Sequence, residues 1–167
     1  MKKIIFLLLL LITLILCGCN DKVKCEINEY RGVIYPKENP SPQNDYKSIY
    51  DILGNSGCYF FENYTELDIF LNENGLLISK KIESKYSENF FIDKSLIIYF
   101  EVDPSPGYKY TFNLNNKENI LRLEINKSID KKKNYSDVEV GRMFFIDINK
   151  EEIVNTTEFV FSTNISK

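Results

Sequence analysis

Between Leu96 and Ile148 lie runs in which apolar side chains recur at every second position, and a run with that period buries its apolar face as β-sheet and not as helix. Leu96, Ile98, Phe100 and Val102 alternate with Ile97, Tyr99 and Glu101. Tyr108, Tyr110, Phe112 and Leu114 alternate with Lys109, Thr111, Asn113 and Asn115, and Leu121, Leu123 and Ile125 oppose Arg122, Glu124 and Asn126. The spacing predicts three strands in a meander. A fourth strand, Val138 to Ile148, carries Val138, Val140, Phe144, Ile146 and Ile148 on one face. Gly141 inside it signals a bulge or a close backbone approach. Glu158 to Ser162 can add an edge strand.

The turns support this division. Asp103-Pro104-Ser105-Pro106-Gly107 presets φ with proline and ends on glycine, and Asn115 to Asn119 is polar and hairpin-like. Before the sheet the period changes. Tyr59 to Glu62 reads as a strand, and Asn63 with Glu66 forms a capping box that starts a helix. Tyr64, Leu67, Phe70 and Leu71 recur at helical spacing up to Asn74, and Gly75 closes the helix in the left-handed conformation. Phe90 and Phe91 are expected to enter the core where the chain turns into the first long strand. The class expected is α+β: mainly antiparallel sheet, sandwich-like, with one amphipathic helix.

Lys2 and Lys3 precede a 13-residue hydrophobic stretch, Ile4 to Leu16, and then Leu16-Cys17-Gly18-Cys19. A bilayer span needs roughly 20 apolar residues, so the stretch reads as an export signal. Its ending resembles the lipobox of bacterial lipoproteins. That resemblance implies cleavage after Gly18 and a diacylglycerol thioether on Cys19, an anchor at the extracytoplasmic face of the cell membrane. Residues 1–18 are then the signal peptide, 19–57 a tether and N-terminal extension, and 58–167 a single β-rich domain. Pro36, Pro40 and Pro42 favour an extended path within the tether, with Val33 to Tyr35 as an edge strand.

Loss of residues 1–18 leaves 19 basic against 24 acidic side chains, a net charge of −5. Such a chain is a poor nucleic-acid binder. Its dense basic run, Lys131-Lys132-Lys133, reads as a solvated loop. The chain has no His, which removes Ser-His-Asp, Cys-His and His-bearing metal sites, and its seven Gly are isolated, which removes a phosphate cradle. No carboxylate pair stands out, so neither an enzyme, a cofactor nor a metal is expected. Cys25 and Cys58 remain either as a disulfide pair or as two free thiols. The 11 Tyr and 12 Phe read as core and cross-strand pairs before they read as a ligand platform.

The run Tyr86 to Ile98, with Phe90-Phe91 and Lys94, and the later Gly141 to Lys150 resemble small lipoproteins of low-GC Gram-positive bacteria. The layout is also similar to the C-terminal domain of the B-type protease-complex proteins, which associate with an exported protease. Asp103-Pro104-Ser105-Pro106-Gly107-Tyr108 resembles the inhibitory loop of chagasin-type cysteine-protease inhibitors, with Asp103 in place of Asn and Pro106 in place of Thr; the Trp of that group has no counterpart here. These resemblances imply a membrane-anchored module that binds an extracytoplasmic protein, a protease among the candidates, with Tyr108 as anchor. The loop alternatively serves only as a turn. A rival reading is an envelope lipoprotein that holds a small hydrophobic ligand or glycan, or is purely structural.

Overall fold

The computed structural model describes residues 22–31, 33–37, 49–104, 107–129 and 140–166. The signal peptide, Cys19, Pro40, Pro42, Ser105, Pro106 and Lys131 to Lys133 lie outside the described residues.

Among the described residues, nine strands and four short helices form an α+β structure. The strands are β1 (Cys25–Tyr30), β2 (Ile34–Pro36), β3 (Ser56–Phe61), β4 (Leu76–Ile78), β5 (Lys94–Asp103), β6 (Tyr108–Lys117), β7 (Ile120–Ile129), β8 (Val140–Asn149) and β9 (Glu158–Ser166). The helices are α1 (Ile49–Leu53), α2 (Tyr64–Glu73), α3 (Lys80–Lys85) and α4 (Phe90–Asp93). A four-stranded antiparallel sheet, β1-β8-β5-β3, forms the middle layer. A three-stranded sheet, β6-β7-β9, covers one face, and the helices with the β2-β4 ribbon cover the other.

Both faces of β5 are apolar, and this places it in the middle layer. Leu96, Ile98 and Phe100 pack under the helices with Leu67, Leu71 and Phe145, while Ile97 and Tyr99 meet Leu121, Leu123 and Ile125 of the outer sheet. The meander is therefore corrected. Strands β6 and β7 form the expected hairpin, but β5 pairs with β8 and β3, so β5 and β6 stand in different sheets. The even positions of β5 alone do not define its neighbours, because Ile97 and Tyr99 need cover as well. Strand β9 runs parallel to β7, in a sheet otherwise antiparallel.

Part of the stretch expected as a tether and N-terminal extension pairs with the sheets. Lys22 bridges Asn115 of β6, Val23 is buried, and β1 completes the middle sheet against β8. The chain thus laces the two sheets together on one side.

Helix α2 starts as expected. The Asn63 side chain accepts from the Glu66 amide at 2.9 Å, and the Glu66 carboxylate accepts from the Glu62 amide and from Asn63 Nδ2, each at 2.7 Å. Gly75 follows at φ +61°, the left-handed conformation that favours glycine. Gly141 marks a close approach, not a bulge: pairing with β5 continues through it, and an added Cβ would lie 2.2 Å from the Tyr50 hydroxyl.

Candidate functional site

Extending each strand's inward face past its apolar run leads to charge. After Ile97 and Tyr99 the next inward positions of β5 are Glu101 and Asp103; after Leu123 and Ile125 that of β7 is Lys127; before Phe144 that of β8 is Arg142. These four meet at one end of the space between the sheets. Lys127 Nζ lies 2.6 Å from Glu101 Oε1 and 2.6 Å from Asp103 Oδ1. Arg142 Nε meets Asp103 Oδ2 at 2.9 Å as a charge contact, not an aligned hydrogen bond, and its Nη1 reaches Glu29 at 3.0 Å.

Aromatic side chains enclose the cluster. Tyr110 donates to Asp103 Oδ1 at 2.6 Å and lies 3.2 Å from Glu101 Oε2, Tyr99 donates to Glu101, and the Tyr108 ring centre lies 4.3 Å from the Lys127 ammonium. Burial, with the hydrogen bonds to these carboxylates, holds the Tyr99 and Tyr110 hydroxyls protonated far above their ordinary range. For Lys127 burial opposes the charge, but hydrogen bonds and charge from Asp103 and Glu101 outweigh it and raise its pKa.

A second buried carboxylate lies under the helices. Asp147 Oδ1 accepts from the Tyr86 hydroxyl at 2.9 Å, and its Oδ2 lies 2.9 Å from Lys85 Nζ. Burial and the Asp147 charge push the Tyr86 hydroxyl far upward.

The two ends of the loop singled out from the sequence lie against the interior. Asp103 is fully buried with its carboxylate turned into the charge cluster, Gly107 is buried, and the Tyr108 ring faces Lys127. The turn from Asp103 to Tyr108 is thus fixed to the interior at both ends. Cys25 and Cys58 are free thiols that the fold keeps apart. They occupy opposite edge strands of the middle sheet, three strand spacings or roughly 14 Å at about 4.8 Å each, against the 4.4–6.8 Å Cα separation usual for a disulfide. Burial raises both thiol pKa values, and the Asp147 charge adds to the effect at Cys25.

The side opposite the β1 lacing is open. Among the described residues β3 and β9 each pair on one edge only. Strand β9 presents nine residues there, free of Lys, Arg and Pro. Phe161 and Ile165, which continue the inward face of Phe159, are 47% and 63% exposed. Where β9 begins, the Phe60 and Phe159 rings meet in a tilted pair with centres 5.4 Å apart and line a cleft of about 310 Å³ with Glu62, Glu66 and Glu158. No cation among the described residues pairs with Glu62 or Glu158.

A second cleft, of about 270 Å³, lies between α2, α3 and the β2-β4 ribbon, lined by Tyr35, Tyr64, Leu67, Leu71 and Tyr86. No helix among the described residues is long and apolar enough to cross a membrane.

Compared with known proteins, the chain matches no family model, no curated protein and no solved structure. Its function is therefore argued from residues and geometry.

Proposed function

We propose that this chain is a lipid-anchored extracytoplasmic module that docks an extended segment of another polypeptide along β9. The anchor rests on Leu16-Cys17-Gly18-Cys19. The docking role rests on one observation, the outer edge of β9, which no strand among the described residues pairs. Exposed edges are ordinarily blunted by Lys, Pro or a bulge, because unpaired N–H and C=O groups recruit a further strand. Strand β9 has none of these guards and adds exposed Phe161 and Ile165. An incoming strand would gain main-chain hydrogen bonds from the edge and apolar cover from those two side chains, with specificity from side-chain pockets. The Glu62, Glu66 and Glu158 cleft beside aromatic Phe60 and Phe159 favours a partner with Lys or Arg at that end. Asp103 faces the interior and the Tyr108 ring meets Lys127, so we assign the docking to β9 and not to the turn between them.

A photo-crosslinking residue at Ser162, an exposed position of β9, should capture a different polypeptide, and Phe161→Lys with Ile165→Lys should abolish that capture in a chain of unchanged circular dichroism. A crosslink only to a second copy of the chain, or one that survives the double substitution, refutes the reading. Cys19→Ser should prevent incorporation of a fatty-acid label; label that persists refutes the anchor. The tyrosine-lined cleft between α2 and α3 supports a second reading, uptake of a small apolar or glycan ligand. Protection of Tyr64 from surface modification by such a ligand would favour it.

A further inference from the structure

Lys127 brings a primary amine into the interior at 4% side-chain exposure, in contact with a carboxylate, Asp103, at 0%. Its Nζ lies 2.6 Å from Asp103 Oδ1, which brings the amine into the near-attack range of the carboxyl carbon, about 3–3.5 Å. A second carboxylate, Glu101, touches the same nitrogen at 2.6 Å. A nucleophile, an acyl carbon and a proton acceptor therefore occupy one enclosed, aromatic-walled site between two sheets.

We infer that Lys127 and Asp103 condense into an intramolecular amide, a covalent tie between β7 of the outer sheet and β5 of the middle sheet, with Glu101 moving the protons. In the first step the Lys127 ammonium passes a proton to Asp103 Oδ1, which gives a neutral amine and a carboxylic acid and removes two buried charges together. The Nζ lone pair then attacks Cγ. The new N–C bond forms while the carbonyl π pair moves onto Oδ2, where Arg142 Nε at 2.9 Å meets the developing charge. Glu101 Oε1 takes the second Nζ proton. Tyr110, 3.2 Å from Glu101 Oε2 and 2.6 Å from Asp103 Oδ1, donates its proton to Oδ1 and takes one back from Glu101, which returns to a carboxylate. The Cγ–Oδ1 bond breaks, the Oδ2 pair returns to the carbonyl, and one water leaves. One ammonium and one carboxylate become one neutral amide; nothing is oxidised or reduced.

Condensation of free ions is unfavourable in water. Here the reactants are instead a buried ion pair, where desolvation penalises both charges and the neutral amide escapes that penalty. The charge that favours Lys127 protonation comes from the two carboxylates themselves, so transfer to Asp103 weakens it at its source. The bond also fits the architecture: Cys25 and Cys58 both lie in the middle sheet and far apart, whereas Lys127 and Asp103 stand on different layers.

The test is tryptic digestion and mass spectrometry of the purified full chain after unfolding. The expected product is a branched peptide in which Lys127 is joined to Asp103, uncut after Lys127 and lighter than its two linear parts by one water. Recovery of both residues only in linear peptides, from a chain with native circular dichroism, overturns the inference. Glu101→Gln should keep the fold and lose the branch, and a branch that persists overturns the role given to Glu101. Should that variant not fold, the wild-type digest still decides whether the bond forms.

Discussion

Raising the pH should unfold this chain in a single step tied to two named tyrosines. Tyr86 is fully buried against Asp147 and Tyr99 almost fully against Glu101, so the folded state keeps both phenolic protons well past the ordinary pKa of about 10. The unfolded chain releases them near that value. Above about pH 10 the folded state therefore binds more protons than the unfolded one, and stability falls as pH rises. Each group removes about 1.4 kcal/mol per pH unit. Two groups carried from about pH 10 to about pH 12 remove roughly 5 kcal/mol, within reach of the whole stability of a domain this size, about 5–15 kcal/mol. Lys85 acts in the same direction. Burial lowers its pKa, but Asp147 outweighs this and raises it, so its stabilising contribution is complete below the unfolded value and is lost as pH rises through the folded one. Tyrosinate absorbance and far-ultraviolet circular dichroism, followed together through a base titration, should show Tyr86 and Tyr99 ionising only with the collapse of the sheet signal. Tyr86→Phe and Tyr99→Phe should each remove one equivalent from that joint step. A tyrosine titration that finishes near pH 10 while the dichroism stays native would refute the reasoning.

Lys127→Met takes the amine away from Asp103 and Glu101 in the interior and is expected to cost about 3–5 kcal/mol, read as a lower denaturant midpoint; a midpoint equal to wild type would count against the buried cluster. Gly141→Ala sets a Cβ against the Tyr50 ring, whose nearest atoms lie 2.2–2.5 Å away, and should destabilise by about 1–3 kcal/mol. Combination with Tyr50→Ala should recover part of that loss, and strict additivity of the two substitutions would contradict the contact. Thiol alkylation without reductant should modify Cys25 and Cys58 fully in the unfolded chain, with Cys58 slower than Cys25 in the folded one because it is buried more deeply; a disulfide detected between them would overturn the strand order.

The elements are legible in the sequence because each is set by local rules. The capping box at Asn63 and Glu66 starts α2 as its sequence requires, and the period of two finds β6, β7 and β8. The neighbours of β5 are less legible, since strand pairing depends on which apolar faces remain uncovered after the rest of the chain has folded. Ile97 and Tyr99 carry that information: with Leu96 and Ile98 they make β5 apolar on both sides, the pattern of a strand in a middle layer. The charge cluster lies in the same pattern and escapes a reading that follows the inward face only as far as it stays apolar. Glu101, Asp103, Lys127 and Arg142 all keep the inward parity of their strands, and two anions against two cations on facing strands is an arrangement that an interior can accept.

The sequence marks β9 only as a short edge strand, and its length and direction lie beyond any local signal. Its parallel pairing with β7 is possible because the chain leaves β7, builds β8 in the middle sheet, and returns through the 3-10 turn at Lys150–Ile153 before reaching the outer sheet. That crossover fixes what is left open. A hairpin partner would have arrived antiparallel and in register with a turn, whereas β9 arrives last among the described strands, on the side that β1 does not lace. Its outer edge therefore has no later strand among the described residues to close it. The exposure of Phe161 and Ile165 follows from the same geometry, since they point into the sandwich from a strand at its margin. A partner strand on β9 would extend the outer sheet and shelter both side chains in one step.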